Sequence, residues 1–88
     1  IVKGDSLTIV ARNLALDVTE EDLRKLFRTY GEVALVNIIK ERDNRTSAGF
    51  GFIAMPVPQE AAAAIADLHM KVLKGQAMKV LEAQPKQL

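Results

Sequence analysis

Ala48-Gly49-Phe50-Gly51-Phe52-Ile53-Ala54-Met55 alternates with a period of two, the rhythm of a pleated strand whose successive side chains point to opposite faces. From Gly49 to Met55, Phe50, Phe52 and Ala54 share one face, and Gly51, Ile53 and Met55 share the other. Either set could line a core. If the two rings turned inward, an exposed Ile-Met pair with no role would be left outside, so the expected register sends Phe50 and Phe52 outward.

The flanking segments supply the layer that the inward set packs against. Val33 to Lys40 is rich in Val, Ile and Leu, with Val36 and Ile38 on one face and Asn37 and Ile39 on the other. The polar stretch Glu41 to Ser47 links it to the Phe-rich strand as an antiparallel partner. Upstream, Leu7 to Arg12 alternates Leu7, Ile9 and Ala11 with Thr8, Val10 and Arg12. Thr19 followed by Glu20, Glu21 and Asp22 puts an N-cap hydroxyl before three acids that suit the positive end of a helix dipole. Leu23, Leu26, Phe27 and Tyr30 then form a helical stripe, and Gly31 offers a left-handed cap, which predicts a helix over 19–30. Pro56 and Pro58 end the strand and open an Ala-rich helix over 59–70, with Ala61, Ala64, Ile65 and Leu68 as its stripe. A turn over 71–75 leads to a last strand over 78–82, with Met78 and Val80 inward and Lys79 and Leu81 outward.

This order is strand, helix, strand, strand, helix, strand. It predicts an α+β fold, the ferredoxin-like βαββαβ sandwich: a four-stranded antiparallel sheet with two helices on one face. The opposite face is left bare. It would present Thr8, Val10, Arg12, Asn37, Ile39, Phe50, Phe52, Ala54, Lys79 and Leu81, too apolar a set for a plain wet surface. One domain over 7–85 is expected, with flexible ends at 1–6 and 86–88.

Composition narrows the function. The chain has 88 residues, 49% of them hydrophobic, and its 12 Lys and Arg against 11 Asp and Glu leave a net charge of +1. That is too little for a binder relying on bulk positive charge, so any hold on phosphate depends on local placement. With no Cys and one His, disulfides, thiolate sites and multi-histidine metal sites are excluded. No metal or other cofactor is expected. Asp17, Glu20, Glu21 and Asp22 read as helix-start electrostatics rather than a catalytic pair. His69 reads as a helix-terminal residue facing late carbonyls. No serine-protease triad, P-loop or dinucleotide fingerprint occurs, so the chain is not expected to be an enzyme. No apolar stretch approaches the roughly 20 residues that cross a bilayer. Ile1 in place of an initiator Met suggests a processed or excised chain.

The octapeptide 48–55 resembles the signature of the RNA recognition motif, K/R-G-F/Y-G/A-F-V-x-F/Y. Ile9-Val10-Ala11-Arg12-Asn13-Leu14 resembles the family's companion hexapeptide, including its Asn-Leu end. The likeness runs from Leu7 to Pro85 and takes in Asp17 to Leu23, Phe27 to Gly31, Ala64 to Leu68 and Gly75. The compact layout looks most like short single-domain RNA-binding proteins of bacteria; a bacterial source would make it cytoplasmic, and any other source leaves nucleus and cytoplasm both open.

The resemblance implies a module for single-stranded RNA, with single-stranded DNA as a related ligand. Bases would stack on Phe50 and Phe52, and basic side chains would hold phosphates. Three positions depart from the pattern. Val10 stands where an aromatic is usual, Ala48 replaces the opening Lys or Arg, and Met55 replaces the final, inward aromatic. Two stacked bases contribute about 2–6 kcal/mol, short of the roughly 8 kcal/mol of a micromolar complex, so cations must assist. The expected RNA-binding residues are Phe50, Phe52, Val10, Arg12, Asn37, Lys79, Arg45, Lys40 and Leu81, with Arg42 and Lys86 as further cations. Lys40, Arg42 and Arg45 alternate with Glu41 and Asp43, so partial self-neutralisation competes with a phosphate role there. The chain is expected to be a monomer. The alternative is a protein-interaction or dimerisation module using the same apolar face. Lys74-Gly75-Gln76-Ala77 lacks the Arg-x-Phe of the family's peptide-binding subgroup, and a metabolite-binding domain would make the octapeptide a coincidence.

Overall fold

The computed structural model describes residues 7–42 and 47–83. Its elements are β1 (Leu7–Arg12), α1 (Glu20–Arg28), β2 (Leu35–Lys40), β3 (Ser47–Met55), α2 (Pro58–Leu68), β4 (Val72–Leu73), β5 (Gln76–Ala77) and β6 (Lys79–Glu82). Four strands form one antiparallel sheet in the order β2-β3-β1-β6, and β4 pairs with β5 in a separate ribbon. α1 packs on β2, while α2 lies over β1, β3 and β6. Both helices cover the same face, because Ile9, Ile53 and Val80 of the sheet share one buried cluster with Leu23 and Phe27 of α1 and Ala61, Ala64 and Leu68 of α2. The expected ferredoxin-like α+β sandwich is therefore the fold.

Local chemistry accounts for the element ends. Thr19 caps α1 in a reciprocal box: its Oγ1 accepts from the Asp22 N–H at 3.1 Å, and Asp22 Oδ2 accepts from the Thr19 N–H at 3.0 Å. α2 has no side-chain cap and starts instead on Pro58, whose missing N–H is no loss in a first turn. Gly49 adopts a φ of 87°, which side-chain-bearing residues rarely reach. Around it the β2–β3 register shifts: two steps from Ile38 to Lys40 face four steps from Gly51 to Ser47. This bulge anchors the chain leaving β1, because the Gly49 carbonyl accepts from the Leu14 N–H at 2.9 Å.

Several details differ from the sequence expectation. Gly31 does not supply a left-handed cap. Its φ is 159°, the Tyr30 N–H closes the helix end on the Phe27 carbonyl at 2.9 Å, and a Cβ on Gly31 would overlap the Glu60 carboxylate. The turn over 71–75 is a hairpin, β4–β5, whose two-residue loop Lys74-Gly75 has positive φ at both positions, as tight hairpins favour. α2 stops at Leu68, and His69 does not serve the helix carbonyls through its ring. Its Nδ1 accepts the Val80 N–H at 3.1 Å and so covers an outer amide of edge strand β6. On the other edge, Glu20 Oε2 accepts the Ile38 N–H of β2 at 3.0 Å.

Candidate functional site

The uncovered face is organised by register. Asn37 of β2 stands opposite Phe52 of β3, Phe52 opposite Val10 of β1, and Val10 opposite Leu81 of β6, giving one row across all four strands. Phe50 lies on the same face as Phe52, two residues away, and neither ring belongs to the buried cluster. Their centroids are 6.0 Å apart with the planes at 87°, an edge-to-face pair. Both rings are half-buried, and Leu81 is 43% exposed. Two planar ligands lying flat on these rings could not be parallel to each other.

The charged end of the face lies beside the rings. Arg12 and Lys79 stand directly opposite one another on β1 and β6. Like charges at facing positions repel, and among the described residues neither has an acidic partner; the ion pair present there joins Lys74 to Asp22 at 3.0 Å. With Asn13 and Leu81 they line an open groove of about 560 Å³. An anion seated there would relieve their repulsion.

Two further features were missed from sequence. Asn13 has a φ of 59°; its Nδ2 donates to the Ala77 carbonyl at 2.8 Å, and its own carbonyl accepts from Gln76 Nε2 at 3.0 Å. It thus ties the exit of β1 to β5 and shapes the groove, and only its place in the hexapeptide hinted at this. Leu35, 54% exposed and opposite Ala54, extends the apolar face; its parity with Asn37 was the available signal. Lys40 is not brought to this face. It lines a cavity of about 300 Å³ with residues 16–20 and Ile38, beside the start of α1. Arg42 is exposed in the turn after β2, and Arg45, Lys86 and the segments 1–6 and 84–88 lie outside the described residues.

Two of the acids at the start of α1, Glu20 and Asp22, have carboxylates engaged in structural bonds. The Thr19 backbone N–H, followed by Lys74, holds the Asp22 carboxyl below its ordinary pKa, and the bond to Asp22 raises that of Lys74. Lys74 Nζ also donates to the Asp17 carbonyl at 3.2 Å, which fastens the β4–β5 ribbon to the helix start. No helix among the described residues is long and apolar enough to cross a membrane.

The sequence matches the RNA recognition motif family over residues 9–79. The chain belongs to this family. As an RNA recognition motif it is similar to the multiple RNA-binding domain-containing protein 1 of Dictyostelium discoideum, with 36% identity over 78 residues covering 89% of this chain. The chain spans 9% of that relative's length. This likeness to a eukaryotic protein does not bear out the expected affinity with short bacterial proteins, and it removes the bacterial premise on which a specifically cytoplasmic placement rested. Among solved structures, the RNA binding protein PG1 matches with a TM-score of 0.85 and 34% identity, covering 93% of this chain and 99% of that one. The Sex-lethal RNA recognition domains of Drosophila melanogaster share the fold with a TM-score of 0.84 at 24% identity, covering 90% of this chain and 50% of theirs.

Proposed function

We propose that this RNA recognition motif domain binds single-stranded RNA across the open face of its sheet, with bases stacked on Phe50 and Phe52 and with Arg12 and Lys79 holding phosphate. The carrying observation is a pair of rings outside the core beside two facing cations with no acidic partner among the described residues. A base offers the flat apolar surface the rings lack, and its phosphate supplies the missing anion. Val10 and Leu81 contribute aliphatic contact in the row where a third ring is absent. The role is binding without bond-making chemistry. The family membership and the likeness to a protein described as carrying multiple RNA-binding domains support this reading.

Titration with short RNA oligomers, followed by backbone amide shifts, tests it. The expected shifts gather at Val10, Arg12, Asn37, Phe50, Phe52, Lys79 and Leu81 and spare the outer faces of the helices. Failure of U-rich, G-rich and mixed RNA alike to perturb any of these amides at millimolar concentration refutes it. Single-stranded DNA of the same sequence measures how much the 2′-hydroxyl contributes.

A further inference from the structure

Asn37 is out of character for its position. It interrupts the apolar run Leu35-Val36-Asn37-Ile38-Ile39 inside a strand, where asparagine is disfavoured. Its exposed amide makes no hydrogen bond to any described residue, whereas Asn13 uses its own to hold the fold together. It also stands directly opposite Phe52. We propose that Asn37 is a specificity-determining residue, reading the edge of the base that lies on Phe52. The inference rests on the RNA-binding reading above and deepens it.

The geometry favours this residue over its neighbours. Phe52 has two cross-strand partners, Val10 and Asn37, and only Asn37 offers hydrogen bonds. Its backbone is held firmly. Gly51 lets β2 approach so closely that a Cβ there would come within 2.6 Å of the Asn37 carbonyl, and the next residue, Ile38, donates its N–H to Glu20. A side chain rooted at so fixed a point can discriminate, because a misplaced base cannot draw it along. The amide presents one acceptor beside a donor pair, the complement of a base edge that sets a donor beside an acceptor, as adenine does.

The test compares wild type, Asn37→Ala and Asn37→Asp, binding adenine-, cytosine-, uracil- and guanine-containing eight-mers by fluorescence anisotropy. Asn37→Ala is expected to weaken the preferred oligomer about fivefold or more, within the range for a two-bond base contact, and to compress the spread between bases. Asn37→Asp can only accept, so its preference shifts toward guanine, whose edge carries two adjacent N–H donors, and away from uracil. Asn37 is exposed, and thermal unfolding verifies that both variants fold; should the alanine variant not fold, the aspartate variant carries the test. Equal weakening of all oligomers, or an unchanged order of preference in both variants, overturns the inference while leaving RNA binding intact. A wild-type chain that binds none of them overturns both.

Discussion

Replacing Phe52 by alanine is the most direct probe of the open face. Phe52 is the aromatic member of the row Asn37-Phe52-Val10-Leu81, and its ring meets Phe50 edge to face at 6.0 Å. Loss of one stacked base costs about 1–3 kcal/mol, which at roughly 1.4 kcal/mol per decade is a 5- to 150-fold rise in Kd. Truncation also removes the contact with Phe50, worth about 0.5–1.5 kcal/mol to the fold. Against a typical domain stability of about 5–15 kcal/mol, the variant should remain folded, and urea unfolding can verify it. Phe52→Leu separates the two effects, since it restores apolar bulk without a π-face: stability should recover more than affinity does. Because the rings touch, the Phe50→Ala, Phe52→Ala double variant should depart from the product of the single effects. A folded Phe52→Ala protein that binds single-stranded RNA within twofold of wild type would refute the stacking argument, whatever the family resemblance.

Other perturbations probe separate parts of the structure. Arg12→Gln and Lys79→Gln should each reduce the slope of log affinity against log salt by about 0.7, one phosphate contact on a single strand; unchanged slopes in filter-binding titrations would remove both from the phosphate path. His69→Ala leaves the Val80 N–H without its acceptor, so urea midpoints should show a loss of about 1–3 kcal/mol with RNA affinity unchanged. Gly51→Ala sets a methyl within 2.6 Å of the Asn37 carbonyl; calorimetry should give a lower Tm, and an unaltered Tm would show that β2 can yield there. Asp22 titrates below its ordinary pKa through its bond to the Thr19 N–H and its pairing with Lys74. Its stabilising contribution is therefore complete above the unfolded value of 3.8 and lost as pH falls through the lower folded value. Lys74→Ala should shrink that acid-limb loss in thermal melts between pH 5 and 2.

The sequence carried the fold because period and parity report one-sided burial. Ile9 and Ala11, Val36 and Ile38, and Ile53 and Met55 are buried as their alternation predicted, and Thr19 caps the helix that its three following acids announced. Features that depend on distant pairing were not legible. His69 meets Val80 across 11 residues and Asn13 meets Ala77 across 64, so no local pattern could reveal either bond. Gly31 was misread because glycine after a helix usually signals conformational need, whereas here Glu60 occupies the space that a side chain would fill. The site divided in the same way. Strand parity gathered Val10, Arg12, Asn37, Phe50, Phe52, Lys79 and Leu81 on one face, but basic character alone put Lys40 among them, and the sheet turns it toward α1.

The alternative use of this face, association with a second copy, meets an electrostatic obstacle. A two-fold dimer applies the same surface to itself. The strand residues of the open face carry Arg12 and Lys79 and no Asp or Glu among the described residues. A face-to-face pair would bury the rings, together with Leu35 and Leu81, by bringing together four like charges with nothing to offset them. Joining through a sheet edge is hindered too, because Glu20 takes an outer N–H of β2 and His69 takes one of β6. A flexible polyanion with flat apolar groups satisfies both demands at once, covering the rings and neutralising the cations. Sedimentation at two protein concentrations should accordingly give a monomer at low salt. A dimer that strengthened as salt was removed would contradict the charge argument, since screening can only favour contact between like-charged faces.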